Sequence, residues 1–138
     1  MDRAIVDQKI ESLRRCLERV RSKLPDTVQA LQSDPDAQDI VSLNLTRAVQ
    51  LCIDLAAHWL AEHGNYPAPK TMGQTFDILA EAGMIEQALA TRLKKAVGFR
   101  NIMVHSYDEI DWAIVHAIGN NHLDDFKAFA RAILGSYE

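Results

Sequence analysis

The sequence predicts an all-α fold: an up-and-down bundle of four to five main helices in one domain covering residues 1–138. Three observations predict it. Apolar residues recur at alternating spacings of four and three through long segments, no run alternates with period two between turn signals, and the four prolines punctuate the periodic segments without interrupting them. Val6, Ile10, Leu13, Leu17, Val20 and Leu24 line one face of a first helix that Pro25 ends. A second helix starts after Asp34 as N-cap, with Pro35 in its first turn. It carries Val41, Leu45, Ala48, Cys52, Leu55 and Trp59 inward and stops at Gly64. Residues 64–70, with two prolines in three positions, form a loop.

Thr71 or Gly73 opens a shorter helix with Phe76, Leu79 and Ala80 inward, and Gly83 closes it. A fourth runs from about Ile85 through Leu89, Leu93, Ala96 and Val97 into the segment GFRNIMVHSY. Two further stretches, Ile110 to Ile118 and His122 to Leu134, are separated by Gly119, Asn120 and Asn121. The first two helices have extra apolar positions beside their seams, among them Val49, Ala56 and Leu60; these fill the monomer core or contribute to a dimer face. Trp59, Trp112, Phe126 and Phe129 are expected in the core, since none interleaves with basic residues as a base-stacking platform would.

Composition excludes several classes. The chain of 138 residues is 48% hydrophobic and 25% charged, with six Gly and four Pro, which rules out a disordered or collagen-like protein. No stretch approaches the roughly 18 apolar residues needed to span a bilayer, and the charged N-terminus has no apolar h-region, so no membrane association is expected and the chain reads as cytoplasmic. Cys16 and Cys52 lack a CxxC spacing and read as small buried hydrophobes in a reducing compartment. The net charge of −4 argues against a nucleic-acid footprint on the molecule as a whole. Locally, though, Gln87 to Tyr107 carries Arg92, Lys94, Lys95 and Arg100 with no acid. Arg92, Lys94 and Lys95 are therefore candidate nucleic-acid-binding residues, RNA-binding ones on the resemblance given below.

The chemistry concentrates in Arg100, Asn101, His105 and Tyr107. On a helix Asn101 and His105 share a face, whereas Arg100 and His105 diverge by about 140° at 100° per residue. A second copy across a two-fold axis would bring them together more easily. Histidine can exchange a proton with a ribose 2′-hydroxyl or a leaving 5′-oxygen near neutral pH, and arginine presents a charged fork to phosphate oxygens. These are the parts of a metal-free phosphodiesterase. His58 with His63, and His116 with His122, fit no metal-binding spacing, and no phosphate-binding or hydrolase loop motif is present. Neither metal nor cofactor is expected.

The run Gly98-Phe99-Arg100-Asn101-Ile102-Met103-Val104-His105-Ser106-Tyr107 resembles the Arg-x4-His-x-Tyr motif of the HepT-like branch of the HEPN superfamily of ribonuclease toxins. Arg47 to Leu60, the Pro-containing loop and Phe76 to Ile85 extend the resemblance over most of the chain. It implies an α-helical homodimer whose two motifs meet in a shared cleft and cut RNA without metal. Arg100 and His105 would be the catalytic pair, and Asn101 would orient the site or bind phosphate. It further implies a partner, a minimal nucleotidyltransferase antitoxin of the MntA type that transfers AMP to Tyr107. Ser106 stands where many relatives carry an acid, which removes any electrostatic tuning of His105 by that neighbour. Asp54 and His58, with Arg47 and Gln50 on the same face, are either cleft residues, Asp54 bonding His58 or orienting a catalytic group, or a plain solvated face. The alternative to a nuclease is a non-catalytic helical subunit that binds such a transferase.

Overall fold

A computed structural model describes residues 3–137. Its helices are α1 (Arg3–Lys23), α2 (Val28–Gln32), α3 (Pro35–His63), α4 (Gln74–Glu81), α5 (Gln87–His105), α6 (Trp112–Asn121) and α7 (Leu123–Gly135), with a 3₁₀ turn at Tyr107–Glu109. The all-α bundle is as the periodicity predicts, and the long elements are α1, α3, α5 and α7.

Local chemistry sets the ends of α3. Asp34 accepts a hydrogen bond from the Ala37 amide at 3.1 Å, Pro35 fills the first turn, and Gly64 adopts a left-handed φ of 63° while its N–H returns to the Leu60 carbonyl. At α4, both candidate openers contribute. Gly73 is the N-cap residue, and the Thr71 hydroxyl accepts from the Gln74 amide.

Three boundaries differ from the sequence reading. α2 has no counterpart in it: this is a single turn capped by Thr27, too short to show a period, and is held by burial of Leu31 and by the Gln38 amide donating to the Leu31 and Gln32 carbonyls. α6 starts at Trp112, after Asp111 caps the Ala113 amide, and continues through Gly119 and Asn120 to Asn121. Gly119 is thus not a separator. A Cβ there would lie 3.0 Å from Leu24 and 3.2 Å from Val20, so its bare backbone lets α6 lie close against the end of α1. His116 is buried, and its Nε2–H donates to the Pro25 carbonyl at 2.9 Å.

α3 is the central element, packed by α1, α2, α4, α5, α6 and α7. The expectation that no segment is apolar enough to span a bilayer needs correction: over its most apolar window α3 has a mean hydropathy of 1.3, enough by length and composition. Its place in the bundle accounts for that, since 56% of the window is buried by other helices. α1 and α5 flank α3 and run antiparallel to it. On one side Lys9 lies opposite Asp54; on the other, Arg100, Met103 and Tyr107 meet Gln50, Thr46 and Ser42 in turn. Both cysteines are buried and free, and burial pushes the Cys52 thiol well above its usual range.

Trp59, Phe126 and Phe129 are buried, and Trp112 packs partly buried against the core. Phe129 is fully buried and meets Phe76 edge-on at 5.7 Å, joining α7 to α4. Phe129→Ala should therefore destabilise the fold by about 3–5 kcal/mol. Chemical denaturation measures this, and a loss below about 1 kcal/mol would contradict the packing described.

Candidate active site

Phe99 and Met103 turn the buried face of α5 toward the core and so set the rotation of the helix. That rotation brings Arg100, half-buried, to the α3 side. Its Nη2 donates to Gln50 Oε1 at 3.0 Å and its Nη1 to Asn101 Oδ1 at 3.0 Å. Gln50 is itself oriented, because its Nε2 donates to Asp54 Oδ1 at 3.0 Å, which leaves its oxygen for the arginine. Asp54 Oδ2 lies 3.7 Å from Lys9 Nζ on α1. A polar chain thus runs from α1 across α3 to α5 and ends on Arg100. Of the five guanidinium N–H donors, two meet these amides, and the Nε–H is buried without an acceptor. The remaining two meet no acceptor among the described residues.

His105 is the last residue of α5, exposed, and bonded to no protein group among the described residues. Five residues separate it from Arg100, about 7.5 Å of rise and 140° of turn. One copy of α5 therefore does not aim both side chains at one phosphate. After His105 the chain turns: Ser106 caps α5 through its N–H to the Ile102 carbonyl, and its own carbonyl accepts from Glu109. Tyr107 folds back toward α3, where its hydroxyl donates to Asp39 Oδ1 at 2.8 Å and lies 3.5 Å from Ser42 Oγ. Its ring is 41% exposed and edge-on to Trp112 at 5.9 Å. Partial burial pushes the Tyr107 hydroxyl above its ordinary value of 10.0; Asp39 adds to the rise and Ser42 opposes it.

The structure sorts the other sequence candidates. Arg100, Asn101 and Tyr107 lie on the α5 side of α3, whereas Asp54 and Arg47 lie on its α1 side, with Gln50 linking Asp54 to Arg100. Asp54 engages Gln50 and Lys9, not His58, which is exposed. The basic run before the motif is not a free footprint. Arg92 pairs with Asp125 of α7 at 2.9 Å and Lys94 with Asp77 of α4 at 2.8 Å. Lys95 is exposed and lines a cleft of about 360 Å³ beside α6 and α7. Gln50, Asp39 and Ser42 are the residues whose roles sequence reading missed. Gln50 is visible in sequence only as part of a polar stripe, and Asp39 lies 68 positions from Tyr107 with no local signal. Among the described residues no group of three or more His, Cys, Asp or Glu could hold a metal ion.

Known proteins share this arrangement's sequence and fold. The chain matches the family described as ribonuclease HepT-like over residues 13–133. It is 38% identical over 129 residues to the mRNA nuclease HepT of Shewanella oneidensis, covering 94% of this chain and 96% of that protein. A putative RNase of Archaeoglobus fulgidus is 29% identical over 104 residues, 71% of this chain and 77% of that one. The fold superimposes with a TM-score of 0.89 on a solved structure described as the tri-AMPylated HEPN toxin of Shewanella oneidensis in complex with MNT antitoxin, at 36% identity and with 98% and 99% of the two chains covered. Since the match takes in both the motif on α5 and the α3 residues that hold it, the chain belongs to the ribonuclease HepT-like family.

Proposed function

We propose that this protein is the toxin component of a toxin–antitoxin pair, a cytoplasmic endoribonuclease that acts as a homodimer and needs no metal. The observation that carries the reading is Arg100: a half-buried guanidinium fixed by Gln50 and Asn101, with two donors uncommitted, on the same helix as an unengaged His105. A homodimer would let His105 of one protomer face Arg100 of its partner, which removes the 140° divergence within one helix. Ile102 and Val104, 44% and 48% exposed on α5 within the motif, supply apolar surface for that contact.

In the reaction, His105 takes the proton from a ribose 2′-hydroxyl and the resulting oxyanion attacks the adjacent phosphorus. Arg100 stabilises the added negative charge on the non-bridging oxygens, and Asn101, whose Oδ1 is engaged, offers its amide N–H groups to the phosphate. The 5′-oxygen leaves with a proton from a histidinium or water, giving a 2′,3′-cyclic phosphate end.

Inhibition follows from Tyr107. A nucleotidyltransferase antitoxin of the MntA type would bind the same face and catalyse attack of Tyr107 Oη on the α-phosphorus of ATP. Pyrophosphate leaves, and the phenolic proton passes toward Asp39, which already accepts it in a hydrogen bond. The product is bulky and anionic on the α3 face that RNA would have to cross to reach Arg100.

Purified protein should cut RNA in EDTA and leave cyclic phosphate ends, and Arg100→Ala and His105→Ala should each lose about 10²-fold or more of that activity. Equal cleavage by all three proteins would reject the nuclease assignment in favour of a non-catalytic partner of the transferase. Coexpression with a nucleotidyltransferase of the MntA type should raise the intact mass by whole AMP units in wild type and leave Tyr107→Phe unchanged; a mass gain in Tyr107→Phe would place the acceptor elsewhere. The Tyr107 environment has its own readout in stability. A hydroxyl whose folded pKa lies above the unfolded value contributes stability that is present below pH 10 and is lost as pH rises through the folded pKa. Part of the alkaline loss of stability should accordingly vanish in Tyr107→Phe, as followed by thermal melts from pH 8 to 11.

A further inference from the structure

A second basic feature lies on α1, outside the motif. From Arg3 to Lys23 the helix holds seven Lys and Arg against three acids, and these are not spread evenly around it. Arg15 and Arg19, one turn apart, line the edge of a groove of about 630 Å³ between α1 and α3, and Arg47 lines it from the α3 side. The charge of Arg47 reaches across to Cys16 on α1, where it opposes the rise that burial imposes on the thiol. Arg19 and Arg47 have no ion-pair partner among the described residues, and Arg15 has only Glu11 at 3.5 Å, with its side chain 70% exposed. Ile40, Leu43 and Leu51 add apolar surface to the groove.

The groove does not stand alone. Gln50 and Asp54 line it, and Gln50 is the residue that holds Arg100. A strand lying in the groove therefore runs toward the reactive arginine along one face of α3. The run between Arg92 and Lys95 offers no such continuity, since two of its three cations are paired with acids of α4 and α7.

We infer that the groove between α1 and α3 is the site that binds the backbone of single-stranded RNA next to the scissile phosphate, with Arg15, Arg19 and Arg47 on phosphates. This rests on the nuclease reading for the identity of the ligand. Arginine suits the task because its fork matches phosphate oxygens and its plane can stack on a base, and apolar floor residues tolerate any base. Binding there is sensitive to salt and nearly indifferent to sequence, because the protein engages the backbone.

The test uses full-length His105→Ala protein, a labelled single-stranded RNA oligomer and EDTA, with affinity measured over a range of salt. Adding Arg19→Ala and Arg47→Ala should weaken binding at least fivefold at low salt. The slope of log K against log salt should flatten by about 1.4, at about 0.7 for each phosphate no longer neutralised. Lys127→Ala with Arg131→Ala, which changes net charge equally on another face, should do neither. Arg19→Lys with Arg47→Lys should restore most of the salt slope and less of the affinity. Equal losses in both alanine pairs, or no loss in either, overturn the proposal. So does loss of affinity for the transferase with RNA binding unchanged, which would assign the groove to an acidic protein surface. Wild-type protein that leaves RNA uncut overturns the nuclease reading, while the binding arm still decides the groove.

Discussion

The arrangement depends on α3 being hemmed in by other helices while keeping one polar stripe open. A helix packed by neighbours on most sides has to be apolar nearly all round, and α3 is apolar enough to resemble a membrane span. The positions that escape this requirement, Asp39, Arg47, Gln50 and Asp54, fall between α1 and α5 at the edge of the core, with Ser42 buried beside them. There, polar groups can be held in fixed positions without the full penalty of burial. Gln50 shows the consequence: anchored by Asp54 on one side, it offers its oxygen to a guanidinium on the other. Two of the five guanidinium donors are thereby fixed, so the arginine is held in one orientation.

Charge placement refines what net charge implies. A total of −4 points away from nucleic acid, and the local excess before the motif points toward it. Tertiary pairing changes both statements. Acids on α4 and α7 neutralise Arg92 and Lys94, while α1, whose cations are interspersed with acids along the sequence, places arginines with little or no carboxylate pairing among the described residues on one groove. Linear clustering of cations is therefore a weaker guide than their freedom from carboxylates on neighbouring helices. The i,i+4 and i,i+3 pairs of Arg14 with Glu18 and Glu11 show the same on α1, where those acids occupy Arg14 and leave Arg19 to the groove.

Much of this was legible in the sequence wherever the determinant was local. The ends of α3 follow from Asp34, Pro35 and Gly64, and the inward faces follow from spacing. The motif residues Arg100, Asn101, His105 and Tyr107 could be named as a group because four of ten consecutive residues carry chemistry. What escaped depended on distant contacts. Gly119 looks like a helix stop in sequence and is instead a point of close approach to Leu24. His116 looks like a surface residue until the Pro25 carbonyl is placed beside it. Gln50 and Asp39 acquire their roles only when α5 and the turn after it are laid antiparallel on α3, and no spacing within α3 announces that.

The same antiparallel register bears on how a modification at Tyr107 could silence Arg100. Tyr107 meets α3 at Ser42 and Asp39, and Arg100 meets it at Gln50, so the two lie about 12–16 Å apart along the α3 axis at 1.5 Å per residue. A phosphate attached to Tyr107 therefore does not simply cap Arg100 of the same protomer. Attachment removes the proton that Asp39 accepts and places a negative phosphodiester against that carboxylate, so the modified side chain is driven from its resting position. The face it leaves carries the Arg47 cation, beyond exposed Leu43. Attached nucleotides drawn along that path would lie over the α3 stripe between Tyr107 and Arg100. On the nuclease reading they would compete with RNA through the ground they occupy, with no need to alter Arg100 or His105.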